Sequence, residues 1–199
     1  MYGNTTNSDG KSLENSIVPI LTGLHVSGNK IKGIAIFQKE DGEKDLRRAI
    51  LTIEQANGAE LRHTVWDGLK QGEPDEKSMD RLNGFMLHLA LGTQAASSPE
   101  EYSSLIGSPG SFSEFIETFN NKIISKILNK TFTFTIIKRE NTSNGKWYAQ
   151  LPIFPNFVEV DGTKPTTLYM KKDYVFEAPE VTKTDDLESS SAANADDLF

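Results

Sequence analysis

The 199-residue chain reads as a mainly β domain with an α insertion: a five-stranded Greek-key barrel whose helices lie between the third and fourth strands. Two observations predict this. Stretches with two-residue alternation of apolar and polar side chains stand at both ends of the central region, and two stretches with three- and four-residue spacing stand together between them. Asp-Gly and Asn-Gly pairs fill the gaps between the early alternating stretches, as tight hairpin turns require.

The elements follow in order. Residues 1–16, "MYGNTTNSDGKSLENS", carry almost no apolar side chains and read as a flexible N-terminal arm. The domain proper then runs over 17–176. Its first two strands, "NKIKGIAIFQ" (29–38) and "LRRAILTIEQ" (46–55), flank Asp41-Gly42 and form a long hairpin. After Asn57-Gly58 comes "AELRHTVWD" (59–67), where Leu61, His63 and Val65 alternate with Arg62, Thr64 and Trp66. Three strands and two tight turns make a meander.

The period then changes. "DEKSMDRLNGFMLHLALG" (75–92) spaces Met79, Leu82, Met86 and Leu89 as an amphipathic helix does, with acids at its start and Gly92 at its end. Residues 93–111, "TQAASSPEEYSSLIGSPGS", are rich in serine with Pro99 and Pro109, and read as a loop insertion. A second helix over 111–128 buries Phe112, Phe115, Ile116, Phe119, Ile123 and Ile127, and Ser111 with Glu114 forms a capping box. Strands resume with "KTFTFTIIKRE" (130–140), where Thr alternates with Phe, and continue across "NTSNG" into "KWYAQLPIF" (146–154). "FVEVDG" and "TTLYMKKDYVF" supply further strand material. Three strands, helices and two or more strands is the order of the oligonucleotide-binding (OB) barrel, although other small α+β sheet proteins share it.

Charge is unevenly spread. Of the net −7, residues 177–199 hold −6, with seven acids against Lys183, so residues 1–176 carry only −1. The body is nearly neutral, and the acidity belongs to a C-terminal tail that reads as disordered.

Several function classes drop out. The chain has no cysteine, which removes disulfides, thiol nucleophiles and Cys-ligated zinc. With no apolar run long enough for a signal peptide or a membrane span, a cytoplasmic protein without a membrane partner is expected. His25, His63 and His88 are scattered, and no HExxH, GxSxG or GxxxxGK[ST] pattern occurs. His63 and Asp67 stand four apart on strand-like sequence, a spacing that favours a half-buried histidine over a catalytic pair. The carboxylates show no clustering suited to Mg²⁺. The expectation is a non-enzymatic protein with neither cofactor nor metal; a metal-dependent nuclease is a distant third reading.

What remains is binding. Single-strand binders combine a basic groove with aromatic faces on which bases stack. The candidate bases are Lys30, Lys32, Arg47, Arg48, Arg62, Lys70, Lys138, Arg139, Lys146, Lys171 and Lys172, and the candidate aromatics are Trp66, Trp147 and Tyr148. For the tryptophans, core packing and base stacking are both open readings. Basic residues on strands are more often solvated than bound to phosphate; the Arg47-Arg48 and Lys138-Arg139 pairs stand above that background because each adjoins an apolar strand near a hairpin.

The meander ending in "HTVWDG", the helix "MDRLNGFMLHLALG", the strand "LNKTFTFTIIKRE", the hairpin "SNGKWYAQLPIF" and the terminal "DDLF" together resemble phage-type single-stranded-DNA-binding proteins. The resemblance covers roughly residues 30–160 and the last few residues, and is one of pattern. It implies an OB-fold that sequesters single strands in replication, recombination and repair, and an acidic tail ending in an aromatic that contacts replication or recombination proteins. Solubility and disorder explain the tail's aspartates and serines. They leave Leu198 and Phe199 unexplained. Asp196, Asp197, Leu198 and Phe199 together present an apolar plug and flanking anions, which a pocket rimmed by Arg or Lys could capture. The runner-up is a phage assembly or protein-interaction module that uses the same tail as its docking peptide, a reading the near-neutral body favours. Homo-oligomerisation is compatible with either.

Overall fold

The computed structural model describes residues 18–143, 145–152, 157–162 and 175–177. The N-terminal arm, Lys171, Lys172 and the tail residues Asp196 to Phe199 lie outside the described residues, as does most of "TTLYMKKDYVF".

Alternation over the first third of the domain produces the expected meander of β1 (Gly23–Gln38), β2 (Lys44–Glu54) and β3 (Glu60–Trp66). On β2, Ala49, Leu51 and Ile53 are buried, and on β3 Leu61 and Val65 are, so one face of the sheet meets the core. β1 is longer than its sequence signal, because residues 23–28 contribute only Leu24 and Val26 to any alternating pattern. That first part of β1 serves a different neighbour. Val26 and Asn29 face Phe134 and Phe132 of β6 (Phe132–Asn141), whereas from Lys30 onward the strand pairs with β2. Gly28 sits at the change of partner with φ 77°, a left-handed conformation that disfavours a side chain, and a Cβ there would lie 3.0 Å from the Ala56 methyl.

The sheet runs β3-β2-β1-β6-β7, with β7 being Lys146–Gln150. A sixth strand, β8 (Val158–Val160), also pairs with β6. β7 takes the edge of β6 from Ile137 to Asn141 and β8 takes the same edge from Phe132 to Phe134. Between them the Thr135 N–H donates to the Phe157 carbonyl at 2.8 Å. β6 is therefore covered on both faces: every residue from Phe132 to Ile137 is buried. Its two buried threonines, on the face opposite Phe132, Phe134 and Ile136, are satisfied, Thr133 donating to Asp161 (2.6 Å) and Thr135 to the Leu24 carbonyl (2.9 Å).

Four successive antiparallel pairings leave the edge strands β3 and β7 running in the same direction. No ladder joins them among the described residues. One bond crosses the seam, from the Leu151 N–H to Nδ1 of His63 at 3.4 Å. The structure is thus a mainly β fold with an antiparallel sheet that curls toward itself without closing.

Helices cover one side. α1 (Glu76–Gly92) starts where Asp75 accepts from the Ser78 N–H at 3.0 Å, and it follows a two-residue hairpin of β4 (Leu69–Lys70) and β5 (Glu73–Pro74). α2 (Pro99–Ile106) occupies the segment expected to be a loop. The correction has a local cause: Ser98 caps the helix by accepting from the Glu101 N–H, Pro99 sits in the first turn where its missing N–H costs nothing, and two glutamates favour the helix N-terminus. α3 (Phe112–Lys122) carries the predicted Ser111 cap. Phe85, Met86 and Leu89 of α1 and Phe115, Ile116 and Phe119 of α3 close the core against the sheet. No helix among the described residues is long and apolar enough to cross a membrane.

α1 ends against β8 so closely that a Cβ on Gly92 would overlap the Val158 carbonyl oxygen and lie 2.8 Å from its Cγ1. Gly92→Ala is expected to lower stability by about 1–3 kcal/mol, the usual range for overpacking, read as a fall in the urea midpoint with an unchanged m-value.

Candidate nucleic-acid interface

The outer face of β1-β2-β3 carries the first group of candidate residues. Register places Arg48 opposite Trp66, Ile50 opposite Thr64, Thr52 opposite Arg62 and Glu54 opposite Glu60. Since Ala49, Leu51 and Ile53 point inward, these rungs point outward. At one end the Arg48 guanidinium lies 4.1 Å from the Phe37 ring centre and 5.7 Å from that of Trp66, while its Nε donates to Asp45 at 2.6 Å. Three contacts therefore fix one cation between two aromatic rings. Trp66 is 58% exposed all the same, a large flat surface held in place yet open to solvent.

Beside Trp66 the open seam widens into a cleft of about 370 Å³. Trp66 and Leu69 stand on one side, Gln150 and Leu151 on the other, and Leu82 and Phe85 of α1 form the base. Arg81 and Arg139 border it. Neither forms an ion pair among the described residues. His63 also lines the cleft, stacked on Phe85 with ring centres 4.9 Å apart, and Phe85 stacks in turn on Phe157 at 5.0 Å. Burial in this aromatic column pushes the His63 imidazole down to about 4, so it is neutral at physiological pH.

The remaining cations are distributed unevenly. Lys32 donates to Glu54 at 2.7 Å, a contact that raises the lysine and lowers the glutamate. Lys30 lies opposite Glu54 at that same far end of the face. Arg62 meets Glu60 at 3.2 Å. Burial alone would raise Asp45, but hydrogen bonds from the Arg47 N–H and the Arg48 side chain outweigh it and hold the carboxyl below its usual range. Arg47 turns away from this face to reach buried Asp67 at 3.4 Å, and Asp67 also accepts from the Leu69 N–H at 3.0 Å. His63 and Asp67, four apart in sequence, thus serve separate contacts.

On the other side of the seam, Arg139 lies opposite Tyr148, Lys138 opposite Ala149, Glu140 opposite Trp147 and Asn141 opposite Lys146. Tyr148 is 47% exposed, Trp147 half-buried. Lys70 faces Glu73 in the small hairpin. Of the sequence candidates, the fold brings Arg48, Trp66 and Arg62 onto one face and sets Arg139 across the seam from Trp66. It leaves Lys30 and Lys32 at the opposite end and gives Arg47 to a turn. Phe37, Arg81 and Gln150 join the site without having been singled out. Phe37 had the signal of a core residue in an alternating strand, and Arg81 flanks the buried helical stripe with nothing local to say which strand it meets. No group of three or more histidines and carboxylates suited to a metal ion occurs among the described residues.

No protein-family model matches this chain, and no curated protein matches it. The site must therefore be read from its own geometry.

Two outcomes follow from that geometry. In a Trp147→Phe background, Arg48→Ala should raise acrylamide quenching of the remaining tryptophan while lowering stability by no more than ~0.5–1 kcal/mol, the range of an exposed cation–π contact. For His63, the folded chain refuses a proton that the unfolded chain accepts near pH 6.5. Stability is full above about 6.5 and declines as pH falls toward about 4. His63→Gln, which keeps an acceptor for Leu151, should flatten that part of the profile of urea midpoint against pH.

Proposed function

We propose that this protein binds single-stranded DNA without strong sequence preference, on an OB-type barrel, and acts in replication or recombination. The strand order, the parallel approach of β3 and β7 and the helices between β3 and β6 support the barrel reading. One observation carries the binding reading: an exposed tryptophan is held on the outer sheet face by Arg48, at the mouth of a cleft bordered by two arginines without ion pairs among the described residues. A base stacks on the Trp66 indole, and Arg139 and Arg81 neutralise the adjoining phosphates. Stacking is indifferent to base identity because every base has a π-face, and phosphate contacts carry no sequence information.

The tail supplies the second half of the proposal. Asp196, Asp197, Leu198 and Phe199 form a docking peptide for replication or recombination proteins, and the tail's −6 charge competes with phosphates for the same arginines.

A second reading is favoured by the ion pairs of Lys32, Arg48 and Arg62 with Glu54, Asp45 and Glu60. A sheet face whose cations are already neutralised suits a protein partner, with Trp66 as its anchor.

Oligo-dT titration separates the two. On the DNA reading, oligo-dT quenches Trp66 fluorescence and an equal charge concentration of heparin does not. Trp66→Ala weakens binding by about 1–3 kcal/mol. Affinity falls steeply with salt, and Arg139→Gln makes the slope of log K against log salt shallower by about 0.7, one phosphate contact's worth on a single strand. Removing residues 178–199 tightens binding at low salt and abolishes capture of replication partners. Absence of quenching with oligo-dT favours the protein-interaction reading.

A further inference from the structure

The cleft at the seam is more than a border to the stacking surface. Its volume of about 370 Å³ falls within the range of about 300–1,000 Å³ usual for small-molecule sites, and its lining is mixed in a specific way. The base is aromatic and aliphatic, from Phe85 and Leu82. The polar groups are complementary in kind. Because Nδ1 of His63 accepts from Leu151, the proton of the neutral imidazole sits on Nε2, which has no hydrogen-bond partner among the described residues. The Gln150 amide offers a donor and an acceptor. The Ser78 hydroxyl spends its proton on Asp75 at 2.7 Å, which leaves it an acceptor. Donors and acceptors over an apolar floor are what a nucleobase edge and face require.

The approach to the cleft points the same way. Trp66 forms its lip, so a strand with one base stacked on that indole has its next base at the opening. Arg81 from the helix and Arg139 from β6 both line the cleft, so two guanidinium groups from different elements are available to the phosphates that adjoin an inserted base. A partner's aliphatic side chain would satisfy the floor but leave both guanidinium groups and the three polar groups unmatched, and unmatched polar groups in a closed site lower affinity.

We propose that the seam cleft takes up one unstacked base of the bound strand, with its adjoining phosphates against Arg81 and Arg139. This rests on the single-stranded-DNA reading and adds a second kind of contact to it: one base per footprint is enclosed rather than stacked at the surface. A single strand has no pairing to break, so enclosure costs only unstacking.

The chain contains no cysteine, which makes the cleft directly testable in the full-length protein. Leu69→Cys places one thiol in the cleft wall, and Leu128→Cys, at a 44% exposed position outside both the cleft and the β1-β2-β3 face, serves as control. Each variant is alkylated with N-ethylmaleimide alone, with saturating oligo-dT, and with a saturating oligomer of equal length made entirely of abasic sites. Binding is followed by anisotropy and Trp66 quenching. The expected result is that oligo-dT slows alkylation of the Leu69→Cys thiol by about tenfold or more, that the abasic oligomer leaves it near the free rate, and that the control reacts alike in all three. Equal protection by both oligomers would mean that the backbone merely covers the cleft and would overturn the proposal. Trp66 quenching by oligo-dT with no protection of the thiol would overturn the enclosed base while leaving surface stacking intact. Neither quenching nor protection would remove the DNA reading and the enclosed base together.

Discussion

The bend in β1 is the constraint on which the other features depend. One strand of sixteen residues gives its first part to β6 and the rest to β2, with register shifts at Ile31/Gly33 and Ile36/Phe37 and a left-handed glycine at the change of partner. A straight strand would pair with both neighbours along its whole length and hold the sheet flat. Dividing the pairing rotates the β2-β3 half of the sheet out of the plane of the β6-β7 half, and bulges increase the local twist. The curl carries β3 and β7, strands separated by about eighty residues of chain, close enough for the Leu151 N–H to reach His63. The helices then fill the interior that the curl creates.

Neutrality of the body has a structural explanation. The outer face is laced with ion pairs, one between neighbouring strands and two within a strand: Lys32 with Glu54 across the β1-β2 ladder, Arg48 with Asp45 along β2, Arg62 with Glu60 along β3. Such exposed pairs add little to stability, commonly ~0–1 kcal/mol. What they do is restrict where an anion can settle. The cations without ion pairs among the described residues include Arg81 and Arg139, and these two face the same cleft. Arg48 has a further task, since its charge is balanced by Asp45 and its flat guanidinium is used as a spacer between Phe37 and Trp66. A sheet face can thus be low in net charge and still concentrate its positive potential at one place.

How much of this the sequence reveals depends on the distance over which each feature is decided. The hairpin turns at Asp41-Gly42 and Asn57-Gly58, the Ser111 cap and the Phe-Thr alternation of β6 are settled within a few residues and read correctly. α2 was legible too, in Ser98, Pro99 and Glu101, but serine-rich composition obscured a helix start that rests on three positions. The early half of β1 was not legible, because Leu24 and Val26 make too short a pattern and the partner strand lies about 110 residues away. Lys32 and Arg47 looked like free cations because Glu54 and Asp67, about twenty residues on, become neighbours only once the register is set. Phe37 and Arg81 carried no local mark of their place beside Trp66 and the cleft. Trp66 itself was half-legible: alternation put it opposite the buried Leu61 and Val65, which says outward, but outward does not say held by an arginine.

An unclosed seam would ordinarily be a weakness. Exposed strand edges invite pairing with other chains, and proteins usually cover or close them. Here closure is prevented in a particular way. β7 leaves the ladder at Gln150, Pro152 cannot donate, and the one N–H at that point, from Leu151, is turned toward His63. Because the acceptor is a side chain rather than a β3 carbonyl, this contact adds no rung to a backbone ladder. His63 can fill that role only while neutral, and its burial against Phe85 keeps it so. The same imidazole therefore spaces the strands, satisfies the edge and lines the resulting cleft. Replacing it with an ordinary ladder contact would join β3 to β7 and close the space beside Trp66, so the open seam and the cleft go together.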